Sequence, residues 1–127
     1  MIKQVIVMRK DLGMRRGKQI AQGCHASMKV FFDRIEYCDN GDMKMNNISK
    51  EMEEWINGIF TKICVSVESE EELMEIYNKA KEAKLPNALI QDAGKTEFDG
   101  VPTKTCLAIG PHKAEKINKI TGDLKLL

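Results

Sequence analysis

Residues 2–8, IKQVIVM, carry apolar side chains at both odd and even positions, which a strand with one wet face does not need. The run predicts a strand buried on both faces, and hence a sheet with helices on either side. Asp11-Leu12-Gly13 then turns the chain, Gly17 permits a close or left-handed approach, and a helix is expected from there to about Phe32 or Ile35. The unit is strand, basic turn, helix. It is not a P-loop: the stretch from Gly13 to Lys18 has only three residues between its glycines, and Gln19 stands where the hydroxyl belongs.

At about 100° per residue, Lys18, Gln22, His25 and Lys29 share a narrow sector of that helix, while Ile20, Ala21, Cys24, Met28, Phe31 and Ile35 lie opposite. The apolar side is expected to face the core and the polar side a site. For Lys29 alone, a solvated surface position is the simpler reading.

Farther on, residues 33–49 turn polar and irregular around DNGDMKMNN, and read as an exposed, mobile insertion centred near 37–47. A short helix over 49–57 presents Trp55 to the core, and IFTKICVSV is a second strand. Ser69 with Glu72 forms a capping-box signature for a helix through about Lys84, whose acidic first turn suits the helix dipole. NALIQ at 87–91 and KTCLAIG at 104–110 are the third and fourth strands. Pro111 is expected to open a last helix through about Ile120, closed by Gly122. The order is βα(insert)βαββα, in one domain spanning 1–127.

A chain of 127 residues with 43% hydrophobic and 31% charged residues is long and apolar enough for a core, which argues against disorder. Its apolar runs are too short for a membrane span, and the N-terminus lacks a signal-peptide pattern, so a cytoplasmic protein is expected. Cys24, Cys64 and Cys106 sit at apolar periodic positions and read as reduced core thiols. With His25 and His112 the sole histidines, a zinc site is disfavoured, and neighbouring Cys24 and His25 point apart on one helix. The net charge of +1 excludes little, but Arg9, Lys10, Arg15, Arg16 and Lys18 cluster around the first turn, as a phosphate-attracting face would require.

Loops after parallel strands share a rim, so the turn after the first strand and the loop Asp92-Ala93-Gly94-Lys95-Thr96 are expected side by side. Lys18 and His25 would then face Asp92 and Thr96. Asp92 could orient His25 for proton transfer, Lys18 could stabilise an anion, and Thr96 and Thr105 could position water or a carbonyl. Such a set suits metal-free hydrolysis of an activated carbonyl in a phosphate-bearing substrate. Asp92 could equally be a turn residue bonded to the backbone before Gly94.

The segments VIVMRKDLGMRRGKQIAQGCHAS, PNALIQDAGKT and LAIGPHKAEKINKITGDLKLL together resemble the type 2 peptidyl-tRNA hydrolases. Asp11-Leu12, Met14, Gly17-Lys18, Ala21-Gln22, His25-Ala26 and Asp92-Ala93-Gly94-Lys95-Thr96 match the family pattern in order. The resemblance implies an α/β three-layer α/β/α sandwich with a mixed four-stranded sheet, and hydrolysis of the ester between a peptide and tRNA without a cofactor or metal. It implies Lys18, His25, Asp92 and Thr96 as catalytic residues, Gln22 and Thr105 beside them, and Arg9, Arg15, Arg16 and Lys95 on the tRNA backbone. Peptidyl-tRNA is the implied partner, no membrane is involved, and a homodimer stays open. Two departures stand out: the interval between His25 and Trp55 is longer than the family's, and so is the loop from Thr96 to Thr105. Two other readings remain, a non-catalytic RNA-binding or protein-interaction module on the same fold and a thiol hydrolase using Cys24 and His25.

Overall fold

A computed structural model describes all 127 residues. Its elements are β1 (Ile2–Arg9), α1 (Arg16–Phe32), β2 (Ile35–Tyr37), β3 (Met43–Met45), α2 (Lys50–Asn57), β4 (Lys62–Val67), α3 (Glu70–Glu82), β5 (Asn87–Asp92), β6 (Thr103–Lys113) and α4 (Ala114–Thr121). The main sheet runs β4-β1-β6-β5, with β1 parallel to β4 and antiparallel to β6, and β6 antiparallel to β5. It is a mixed four-stranded sheet between two helical layers, as the sequence implies.

The pleat of β1 divides the core. Ile6 and Met8 point to the layer of α1 and α2, where they meet Ala26, Val30, Trp55 and Cys106. Val5 and Val7 point to the layer of α3 and α4, among Leu73, Ile76, Leu107 and Ile117. Trp55 is the anchor expected of it: it is buried, stacks on Phe31 at 5.8 Å and donates its indole N–H to the Thr61 carbonyl at 2.8 Å. Ser69 accepts from the Glu72 N–H at 3.1 Å. The Glu72 carboxylate caps the Glu68 N–H at 3.0 Å, one residue earlier than the capping box requires.

Four readings of the sequence are corrected. First, α1 buries Gln22, Ala26, Val30 and Phe31 and leaves Ile20 61% and Met28 50% exposed, so the stripe of Ile20, Ala21, Cys24 and Met28 is not its core face. The helix sits over β5 and β6 on small Ala26, and Gln22 can be buried because both ends of its amide find a partner there. The apolar stripe is left overhanging edge strand β4.

Second, Cys24 and Cys64 are exposed, and Cys106 alone of the three is buried; burial pushes its thiol up to about 12. Third, the insertion is no irregular loop: β2 and β3 form a hairpin in which the Gly41 N–H bonds the Cys38 carbonyl at 2.9 Å and the Cys38 N–H bonds the Asp42 carbonyl at 2.7 Å. Arg34 ties its base to α1 through the Val30 carbonyl.

Fourth, Pro111 does not open a helix. Ile109 pairs with Val5 and His112 with Lys3, so Gly110 and Pro111 together oppose Gln4 in a bulge, a place where a strand tolerates proline. Gly110 has φ +93, and a Cβ there would meet the Lys3 carbonyl oxygen. The last helix therefore starts at Ala114, and Gly122 closes it in the right-handed region at φ −61.

Candidate active site

β1 and β5 are each antiparallel to β6 and so run the same way, which brings the turn after Arg9 and the loop after Asp92 to one rim. Lys18, in the first turn of α1, donates from Nζ to Asp92 Oδ1 at 3.1 Å and to Thr96 Oγ1 at 3.0 Å. One turn later, Gln22 is 1% exposed and donates from Nε2 to the same Asp92 Oδ1 at 3.2 Å. Asp92 Oδ2 accepts the Gly94 N–H at 2.9 Å. The aspartate thus closes the turn, the second of its readings from sequence, and also holds the lysine.

Thr105 is 0% exposed and donates its hydroxyl to Gln22 Oε1. Its placement comes from a bulge: Ile90 pairs with Cys106 and Gln91 with Lys104, leaving Thr105 as the extra residue, aimed at α1. A directed chain results, Thr105 to Gln22 to Asp92, with Lys18 bridging Asp92 and Thr96. Burial disfavours the Asp92 carboxylate. The hydrogen bonds from Lys18, Gly94 and Gln22, with the charge of Lys18, outweigh it and hold its pKa below the ordinary value.

His25 stays outside this cluster. It is exposed and its ring makes no hydrogen bond, because three residues of helix turn it about 60° away from Gln22, off the sheet. Asp92 does not orient it. Lys29 pairs with Asp33 at 2.7 Å on the solvated side of the helix.

Arg9 is also corrected. It is 8% exposed, with Nε and Nη2 on the Asp11 carboxylate at 3.0 and 2.6 Å and Nη1 on the Lys104 carbonyl at 3.0 Å. The hydrogen bond to Asp11 raises the Arg9 pKa and lowers that of Asp11. It pins the turn to β6 and presents no free charge for a phosphate. Arg15, Arg16 and Lys95 are exposed; Arg15 is 91% exposed at its side chain and approaches Glu97 at 3.9 Å.

The sequence reading missed Phe98 and the role of Gly94. The Phe98 ring lies 5.7 Å from Lys18 Nζ and packs against the core, roofing the lysine. Gly94, at φ +82, touches the backbone of Val101 so closely that any Cβ would collide with it, and its carbonyl accepts the Gly100 N–H at 2.8 Å. The loop from 94 to 101 is thereby drawn shut around Thr96. An apolar residue in a polar loop was the available signal for Phe98. No group of three or more His, Cys, Asp or Glu side chains is placed to hold a metal ion.

A lysine held between a carboxylate and a threonine thus lies on the rim of a mixed sheet in an α/β/α sandwich. Over residues 2–127 the chain matches the family described as peptidyl-tRNA hydrolase PTH2. It is 46% identical to the peptidyl-tRNA hydrolase of Methanocaldococcus jannaschii over 126 residues, 99% of this chain and 100% of that protein. The peptidyl-tRNA hydrolases of Methanothermobacter thermautotrophicus and Sulfolobus acidocaldarius are 46% and 40% identical over the same shares. The chain belongs to the PTH2 family.

Proposed function

We infer that this protein hydrolyses the ester joining a peptide, or an N-blocked aminoacyl group, to tRNA, releasing peptide and tRNA for reuse in the cytoplasm. The observation that carries the catalytic assignment is the fixed ammonium of Lys18 between Asp92 and Thr96. An ammonium has three N–H bonds. Asp92 and Thr96 take two of them, and the third is available to the ester carbonyl oxygen as negative charge develops on it. Thr96 accepts from Lys18, so its own proton is free for the substrate or for water.

A carboxylate offers about four lone-pair sites. Lys18 and Gln22 occupy Oδ1 and Gly94 one site on Oδ2, leaving one on Oδ2 to hold the attacking water. The lowered pKa keeps Asp92 ionised at neutral pH. It orients the water and takes its proton as attack proceeds, and the proton then passes to the departing ribose oxygen. His25, without a bond to Asp92, has no such link to the water. The full-length match to peptidyl-tRNA hydrolases favours this reading over a non-catalytic role.

Exposed Arg15 and Lys95 border the site, with Arg16 on the other flank of α1, and the three supply charge for the tRNA backbone, a contact independent of sequence. The test is cleavage of N-acetyl-aminoacyl-tRNA by the parent chain, Lys18→Ala and Asp92→Asn, with and without a chelator. Each variant is expected to lose well over tenfold in kcat/KM while staying folded, and the chelator to change nothing. Parent-like turnover in both variants refutes the assignment.

A further inference from the structure

On the far flank of α1 from Lys18, the overhanging apolar stripe and the uncovered part of β4 enclose a groove of about 620 Å³, lined by Ile6, Met8, Ile20, Cys24, Met28 and Cys64 among others. That size suits a small ligand. Two cations line it, Arg16 and Lys62; no lining side chain is a carboxylate, and the terminal carboxyl of Leu127, which also borders the groove, is in no ion pair with either. Neither cation belongs to any of the molecule's ion pairs. Lys62 Nζ lies 3.3 Å from the Phe60 ring centre and 4.8 Å from that of Trp55, and donates to the Phe60 carbonyl at 3.2 Å, so part of its donor capacity is unused. Lys62 is exposed as a residue, and the partial burial of its ammonium lowers its pKa.

We propose that this groove binds a small amphipathic carboxylate, an acyl chain headed by one anionic group, with Arg16 and Lys62 receiving the head. The apolar lining takes the chain and the two unpaired cations take the charge. An extended peptide fits less well, because the β4 edge that would hold its backbone is already paired: Ser66 N–H with the Lys125 carbonyl at 2.8 Å, and Leu127 N–H with the Cys64 carbonyl at 3.1 Å. A second copy of the chain fits less well too, since a two-fold contact through the groove would bring four cations and no carboxylate side chain into one interface.

The test is calorimetric titration of the full chain, without tRNA, by decanoate and by its neutral counterpart decanol. Decanoate is expected to saturate one site per chain and to bind roughly tenfold or more tighter than decanol, the worth of a charge-assisted hydrogen bond. Lys62→Met and Arg16→Met should each bring decanoate toward the decanol affinity, and Ile20→Glu, at an exposed position that folding tolerates, should abolish binding. Lys18→Ala should leave it unchanged. Equal affinity for decanoate and decanol, or no saturable binding of either, overturns the proposal. So does a concentration-dependent dimer dispersed by Ile20→Glu, or tighter binding of an acidic amphipathic helical peptide. Because tRNA is absent, failure here leaves the hydrolase reading intact, and the reverse holds.

Discussion

Replacing Thr105 by valine tests whether the buried chain behind Asp92 positions the site. Valine keeps the branched shape and removes the one donor to Gln22 Oε1, in a place with no solvent access. An unsatisfied buried acceptor costs about 1–3 kcal/mol, and the added methyl offsets little of it because the site is already packed. With an unfolding entropy of roughly 0.27 kcal/mol/K for 127 residues, a loss of about 2 kcal/mol lowers Tm by about 7 °C. The Gln22 amide then has no fixed rotamer, and the shared Oδ1 of Asp92 loses the partner that sets its angle toward Lys18. Hydrolysis of N-acetyl-aminoacyl-tRNA is expected to fall roughly tenfold in kcat with KM nearly unchanged, as for an interaction used in the transition state. Thr105→Ser, which restores the donor, should recover most of the rate. The two measurements are urea or thermal unfolding and steady-state kinetics on the same samples. If Thr105→Val is as stable and as fast as the parent, or if serine rescues neither quantity, the positioning chain does not exist.

Asp92 should govern the acid side of stability. Its pKa is lowered in the folded state, so its contribution is present above the unfolded value near ~3.9 and is lost as pH falls through the folded one. The stability gap between the parent and Asp92→Asn, followed by urea unfolding, should stay constant from about pH 5 to 8 and close below about pH 4; a gap that closes between pH 6 and 7 contradicts this. The two kinds of arginine in the basic turn should separate cleanly. Arg15→Ala with Arg16→Ala should flatten the dependence of tRNA affinity on salt, by filter binding, without loss of Tm. Arg9→Ala should leave that slope alone and cost about 2 kcal/mol of stability through its bonds to Asp11 and Lys104.

What was legible in the sequence was whatever depends on neighbours along the chain. The double-sided apolar run of β1, the Ser69 cap and the anchoring of Trp55 are local patterns, and Lys18, Asp92 and Thr96 follow once the two loops are placed on one rim. The misreadings share a cause: the deciding partner is far away in sequence. Gln22 can be buried because Thr105 and Asp92 meet its amide from β6 and β5, and that choice rotates α1 and leaves Ile20 and Met28 in solvent. Arg9 is withdrawn by a carbonyl 95 residues away. Pro111 is held within a strand because Gln4 sits opposite a two-residue bulge, which no property of Pro111 announces. Thr105, likewise, owes its inward aim to a register shift set by β5.

The buried clasp of Arg9 bears on how the enzyme chooses its substrates. Its guanidinium bolts the basic turn to the strand that carries Thr105, so Arg15 and Arg16 ride on a mount continuous with the floor of the active site. A flexible arm would grip phosphates at many separations and pay to be ordered each time; a bolted turn has paid that cost in folding. Under the proposed function it acts as a caliper, setting one span between the backbone phosphates at the basic turn and the ester at Lys18. That span would measure the tRNA and leave the attached peptide unread.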